Sequence, residues 1–220
     1  MRELRYTLLT DGPSDRALQP LLEWLLQANG VQCAIQGMWA DLRRLPHPPE
    51  GLSLRIEKAV ALYPCDVLFV HRDAERESRQ KRIDEIHTAL EEIEASIDIP
   101  VVPVVPVRMQ EAWLLFDVVA IRQSASNPNG SVRLNLPRIT DLERRPDPKE
   151  DLYELLRIAC ELHGRRLKRF DASISKVAQR VTDYINDFSP LRELPAFVAL
   201  EEELRRIIET CGWDADTTDV

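Results

Sequence analysis

Glycine is scarce, seven residues in 220, and where it falls excludes more than its number does. Only Gly12 lies in a turn joining a strand pattern to a helix pattern. Neither the GxGxxG fingerprint of dinucleotide sites nor a Walker-type phosphate loop is present, which disfavours ATP and dinucleotide binding. There is no GxSxG elbow, and the four histidines have no motif context, so a serine hydrolase is unsupported. The four cysteines, Cys33, Cys65, Cys160 and Cys211, are dispersed without a CxxC pair, which argues against structural zinc and for free buried thiols. No apolar run approaches the roughly 20 residues that span a bilayer. The opening MRELRYTLL enters a strand pattern without the apolar stretch of a secretory signal, so a cytoplasmic protein without membrane association is expected. Positive charge is also short. Twenty-nine Lys and Arg against 37 Asp and Glu leave a net charge of −8, which opposes nucleic acid unless basic residues gather locally.

What is present reads as α/β. From residue 1 to 125, short apolar runs alternate with helical periodicity, the pattern of a Rossmann-like, mainly parallel four-stranded sheet flanked by helices. Strands are expected at about 4–10, 31–39, 66–71 and 100–108. Pro103 and Pro106 place the fourth at an edge or an irregularity. A first helix should start at Ser14 as its cap and end before Gly30, with Pro20 tolerated at a kink. Others are expected from 52 to about Tyr63, from 75 to 96 (Ile83, Ile86, Leu90 and Ile93 inward) and from 111 to 123. Residues 126–220 read as a helical extension packed on this domain or continuous with it. Asp147, Pro148 and Glu150 mark one helix start. Ile174 to Phe188 and Phe197 to Cys211 carry two further helical stripes. No internal repeat or low-complexity tract occurs.

Chemistry concentrates where apolar runs end. DVLFVHRDAE, residues 66–75, ends a buried strand in His71, Arg72 and Asp73, and YTLLTDGPSD, residues 6–15, ends another in Asp11 before Ser14 and Asp15 open a helix. Ligands of open parallel sheets bind at the carboxyl ends of the strands. Asp11 and Asp73 are therefore expected to meet there, with Glu111 as a third carboxylate at the next strand end. Carboxylates brought together need a compensating cation, most simply a hard divalent metal.

With TDGPSD and His71-Arg72-Asp73 in hand, the chain resembles the Toprim family, the α/β catalytic domain of topoisomerases, primases and several nucleases, including the overcoming-lysogenization-defect nucleases. Asp11 stands at the position of the family's glutamate, and His71-Arg72-Asp73 at its Asp-x-Asp pair. The wider layout, through MQEAWLLFD at 109–117, DPKE at 147–150 and LPAFVALEEEL at 194–204, is similar to a defence-associated branch encoded beside ATPases. The resemblance implies a Toprim-type fold and a Mg²⁺- or Mn²⁺-dependent nuclease acting on DNA or RNA, in phage or plasmid defence. On that reading Asp11, His71, Asp73 and Glu111 hold metal, and Lys149 neutralises phosphate charge. The chain departs from the family in two places. Asp11 reaches one methylene less than glutamate, and His71 replaces an acid with a group that ligates manganese better than magnesium. A degenerate module binding a partner such as an ATPase, and a phosphohydrolase of small substrates, stand as alternatives.

Plainer readings apply to the same residues. Asp11 and Asp73 suit helix caps, His71 a satisfied core histidine, Glu111 a helix N-terminus and Lys149 an exposed lysine. Arg72, Arg76 and Arg79 fall at helical spacing, suited to phosphates of a nucleic acid or to pairing with Glu75 and its neighbours. A second basic cluster, Arg165, Arg166, Lys168 and Arg169, follows a helix end expected at Gly164 and suits a phosphate-facing loop or compensation of a helix dipole. Trp113, Leu114 and Phe116 read as core rather than a base-stacking platform.

Overall fold

Four short strands with apolar residues on both faces build a sheet that must be covered on both sides. A computed structural model describes residues 3–94 and 97–214. Its strands are β1 (Glu3–Leu9), β2 (Ala34–Trp39), β3 (Val67–His71) and β4 (Val101–Val104). They pair in parallel throughout, in the order β2-β1-β3-β4. The fold is thus α/β and Rossmann-like. β3 is buried at every position, as a strand with two neighbours and two covered faces must be. Pro103 lies in β4 at the sheet edge, where its missing amide breaks no inner ladder.

The period of two sorts the strand residues between two cores. Leu4, Tyr6, Leu8, Val67, Phe69, Val102 and Val104 face one side, and Leu9, Leu68 and Val70 the other. α2 (Leu52–Leu62) and α3 (Arg79–Glu91) cover the second face with Ile56, Ala59, Ile86 and Ala89. α1 (Gln19–Ala28) covers the first, together with most of the chain after residue 110: α4 (Val118–Ser124), α5 (Pro148–Ala159), α6 (Gly164–Asp171), α7 (Ile174–Gln179) and α8 (Pro195–Cys211). That core runs without a break from β1 through Trp113 and Leu152 to Phe197. Residues on either side of position 125 therefore share one interior. In β2, Gly37 stands opposite Tyr6, and a Cβ there would lie 2.3 Å from the phenol ring.

Several elements differ from their sequence patterns. β2 begins at Ala34 and β4 ends at Val104. Ser14 does not cap a helix. Its hydroxyl donates to Asp15, and a 3-10 turn (Ser14–Leu18) precedes α1, so Pro20 occupies a first turn, where its lack of an amide is harmless. α3 starts four residues later than expected, behind Ser78, which accepts the Lys81 amide at 3.2 Å. It ends at Glu91, and positions 95 and 96 of the expected span lie outside the described residues. The span 111–123 is a 3-10 turn (Gln110–Leu114) followed by α4, which Asp117 caps by accepting from the Ala120 amide at 2.9 Å. Asp147 caps α5 as its pattern predicts, with the Glu150 amide at 3.0 Å. The Ile174–Phe188 stripe is broken after Gln179 into a 3-10 turn (Thr182–Tyr184). Gly164, at φ +57°, opens α6 rather than ending a helix, so the second basic cluster is helical and not a loop.

Candidate metal centre

β1 and β3 are the central pair of the sheet, and their carboxyl ends open on the crevice between the two directions of winding. His71, the last residue of β3, shares the parity of Val67 and Phe69, and Asp73 continues it beyond the strand, so both turn toward the face carrying α1. Asp15 reaches the same place from the 3-10 turn after β1. One ligand atom from each of Asp15, His71 and Asp73 lies within 4.8 Å of the other two, so the three can hold a metal ion.

The environment fixes how each group presents itself. His71 is 1% exposed, and its Nδ1 lies 2.9 Å from the Val104 carbonyl, which can only accept, so Nδ1 carries a proton. Nε2 is buried and makes no hydrogen bond. Its neighbours are Asp73 Oδ1 at 3.4 Å and Asp15 Oδ2 at 3.9 Å. Burial pushes the imidazole pKa down, but the two carboxylates, Asp73 foremost, and the Val104 carbonyl raise it above the ordinary histidine value. In the absence of a metal, the two carboxylates favour the imidazolium form there. With Nε2 deprotonated, one nitrogen and two carboxylate oxygens converge, a donor set suited to a borderline divalent cation. The orphaned, inward-facing Nε2 fits that group.

Asp15 and Asp73 are held from behind. Asp15 Oδ2 accepts the Gly12 amide at 2.9 Å, and Oδ1 accepts from Ser14 Oγ at 2.9 Å and Gln110 Nε2 at 2.8 Å. The Gln110 amide donates to Asp73 Oδ1 at 3.0 Å. One glutamine after β4 thus positions both carboxylates. Glu111 follows it, buried beside a small cleft that it lines with Ser14, Lys149, Tyr153, Ser175 and Gln179. Burial raises the Glu111 pKa, and the charges of Asp73 and Asp15 add to the rise against the opposing effects of its own amide and Lys149.

The remaining predicted site residues go elsewhere. Asp11 has the parity of Leu9, so it projects to the α2 and α3 side of the sheet. There its Oδ1 takes Arg55 Nη1 at 2.7 Å and its Oδ2 takes Arg72 Nε at 3.3 Å. Burial opposes its ionisation, yet the two arginines hold its pKa below the ordinary aspartate value. Arg72 also pairs with Glu85 at 2.6 Å. Arg76 is exposed in the turn before α3. Arg79, at the start of α3, lines a separate groove with α8, near Glu203 and Arg206, where its Nε is buried without a partner. The three arginines therefore form no single strip, because only Arg79 is helical. Glu77 does pair with Lys81 at 2.9 Å.

Asp15 is the member that reading the strand ends left out of the site. Its signal was the acid four residues after Asp11 in TDGPSD. Gln110, beside the Glu111 carboxylate, carries no signal of its own in the sequence. Beyond the strands, Glu75 and Arg108 both adopt positive φ, +54° and +68°, and the Glu75 amide donates to the Arg108 carbonyl at 2.7 Å, tying the loops after β3 and β4 together beside the centre. No family model, no curated protein and no solved structure matches the chain. Among the described residues no helix is long and apolar enough to cross a membrane.

Proposed function

We propose that the protein is a Toprim-like, divalent-metal-dependent phosphodiester hydrolase acting on DNA or RNA, with Asp15, His71 and Asp73 as the metal ligands. The observation that carries the reading is the buried Nε2 of His71, which makes no hydrogen bond and faces two carboxylates at 3.4 and 3.9 Å at the carboxyl end of a parallel sheet. A divalent cation held there supplies Lewis acidity toward a phosphoryl oxygen and offsets its charge. Imidazole among the ligands favours Mn²⁺ over Mg²⁺. Gln110 keeps both carboxylates aimed inward, and Val104 keeps Nε2 free for the site. Glu111, whose pKa burial raises, would serve as the proton donor to a leaving oxygen, and Lys149, which lines the same cleft, would balance phosphate charge.

Asp11 favours a second reading. Its two arginines take the carboxylate out of the centre, as a degenerate module that binds a partner such as an ATPase would tolerate. The thermal-melting increment from Mn²⁺ and Mg²⁺ separates the two. A ligand at about a hundred times its Kd adds roughly 2.7 kcal/mol. The hydrolase reading expects an increment that is larger for Mn²⁺ and lost in Asp15→Asn and Asp73→Asn. No increment for either ion would leave the partner-binding module.

A further inference from the structure

The segment from 163 to 181 inverts the charge of the protein. It holds six basic residues, Arg165, Arg166, Lys168, Arg169, Lys176 and Arg180, against one acid, Asp171, in a chain of net charge −8. Asp171 is already taken by Arg157 at 2.7 Å. Most arginines elsewhere stand within 4 Å of a carboxylate, such as Arg55, Arg72, Arg145 and Arg192. Among the described residues none of the six has a carboxylate within 4 Å, Arg180 lying instead over the Tyr184 ring, and all six residues are exposed. On α6 the four cations fall on one half of the helical wheel at about 100° per residue. Leu167 and Phe170 take the other half and pack against the core. Such a surface is repulsive within itself and is stabilised by an anion from outside.

Its position connects it with the candidate centre. α6 leads into α7 through Ala172 and Ser173 alone. From α7, Ser175, Ala178 and Gln179 form a wall of the cleft that Glu111 and Lys149 also line. Lys176 stands on the same short helix, and Arg180 follows its last residue. α6 is about 12 Å long and α7 about 9 Å at 1.5 Å per residue, more than a single phosphate group occupies.

We infer that the exposed basic surface of α6 and α7 is a binding site for the phosphate backbone of a nucleic acid, which it leads toward the cleft beside Asp15, His71 and Asp73. As an assignment of substrate this rests on the phosphodiester reading above. As a binding surface it stands on its own charges. An anionic membrane is the less fitting partner, since Leu167 and Phe170 are spent on the core and leave no apolar face to insert.

The test is fluorescence anisotropy of a labelled DNA duplex, its single strand and the RNA counterpart, titrated with the full chain in EDTA across a salt series. Wild type should bind at least one of them, with log K falling linearly against log salt. The combined variant Arg165→Gln, Arg166→Gln, Lys168→Gln, Arg169→Gln should lower that slope by up to about 3.6, at roughly 0.9 per duplex phosphate contact. Arg43→Gln, Arg44→Gln, Arg138→Gln, Arg144→Gln removes the same charge from exposed positions elsewhere and should leave the slope near wild type. Equal loss in both variants, binding unchanged in the α6 variant, or binding to phosphatidylserine vesicles without binding to any oligonucleotide would each overturn the inference. Because EDTA removes metal, failure here is independent of the melting increment. An increment without oligonucleotide binding would retain the centre and remove this surface, and the converse would retain the surface and remove the hydrolase.

Discussion

Gln110 donates its side-chain amide to Asp15 at 2.8 Å, joining the loop after β4 to the turn after β1 across 95 positions of sequence. With its backbone amide on Asp73 at 3.0 Å, it sets the separation of the two carboxylates. Groups that orient ligands in this way typically contribute 10- to 100-fold to metal affinity. Gln110→Ala keeps the backbone bond and loses the other, so Mn²⁺ affinity by calorimetry should fall about tenfold or more. Full affinity in a folded Gln110→Ala protein would show that Asp15 is held by Gly12 and Ser14 alone.

Metal and proton compete for His71 Nε2. The imidazole pKa is raised above its ordinary value, because Asp73 and Asp15 outweigh the opposing burial. A metal must displace that proton, so affinity should climb with pH through the raised pKa and level off above it. The metal-free protein should behave in the opposite sense. A raised native pKa gives stability that is full below the unfolded value of about 6.5 and is lost as pH rises through the native one. Melting curves from pH 6 to 9, with and without Mn²⁺, should therefore diverge as pH rises. Parallel curves would remove His71 from the ligand set.

The sheet was legible because its signals are local. Four apolar runs of strand length, a proline pair at the edge strand and the Asp147-Pro148 helix start each declare themselves within a few residues. The site was half legible for a geometric reason. His71 and Asp73 share a parity within one strand end, so their meeting follows from the sequence. Whether Asp11 joins them depends on the parity of β1 against β3, which requires the register Leu9↔Val70. Leu9 and Val70 face α2 and α3, and Asp11 goes with them to Arg55 and Arg72. Asp15 escapes this rule because a 3-10 turn carries it back over the other face. The α6 helix was hidden by Gly164, which opens one helix as readily as it ends another.

Glu201, 5% exposed in its side chain, pairs with Arg192 in the helical region. Arg192 donates to it at 2.7 and 2.9 Å, and Asn29 at 3.1 Å. Burial opposes its ionisation, but the bonds from Arg192 and Asn29 prevail and lower its pKa. A depressed native pKa gives stability that is present above the unfolded value of about 4.3 and is lost as pH falls through the native one. Glu201→Gln should cost about 1–3 kcal/mol at pH 7 in urea titration. Its deficit should shrink as pH falls through that lowered native pKa, where wild type loses the same charge. A deficit independent of pH would mean that packing, not charge, makes Glu201 important.

Trp113 and Phe197 meet edge to face at a centroid distance of 5.6 Å, both without solvent exposure. Trp113 belongs to the turn that carries Gln110 and Glu111, and Phe197 to α8, so the candidate metal centre and the helical region lean on the same aromatic contact. Phe197→Ala should cost about 3–5 kcal/mol, the usual range for a buried phenylalanine. Because the core is continuous from β1 to α8, the loss should appear as a single cooperative transition at lower urea, with tryptophan fluorescence and far-ultraviolet dichroism superimposed. Mn²⁺ affinity should weaken with it, as the turn bearing Gln110 loses its support. Two separated transitions in Phe197→Ala, with Mn²⁺ binding retained through the first, would instead make residues 126–220 a unit that folds on its own account beside an independent α/β domain.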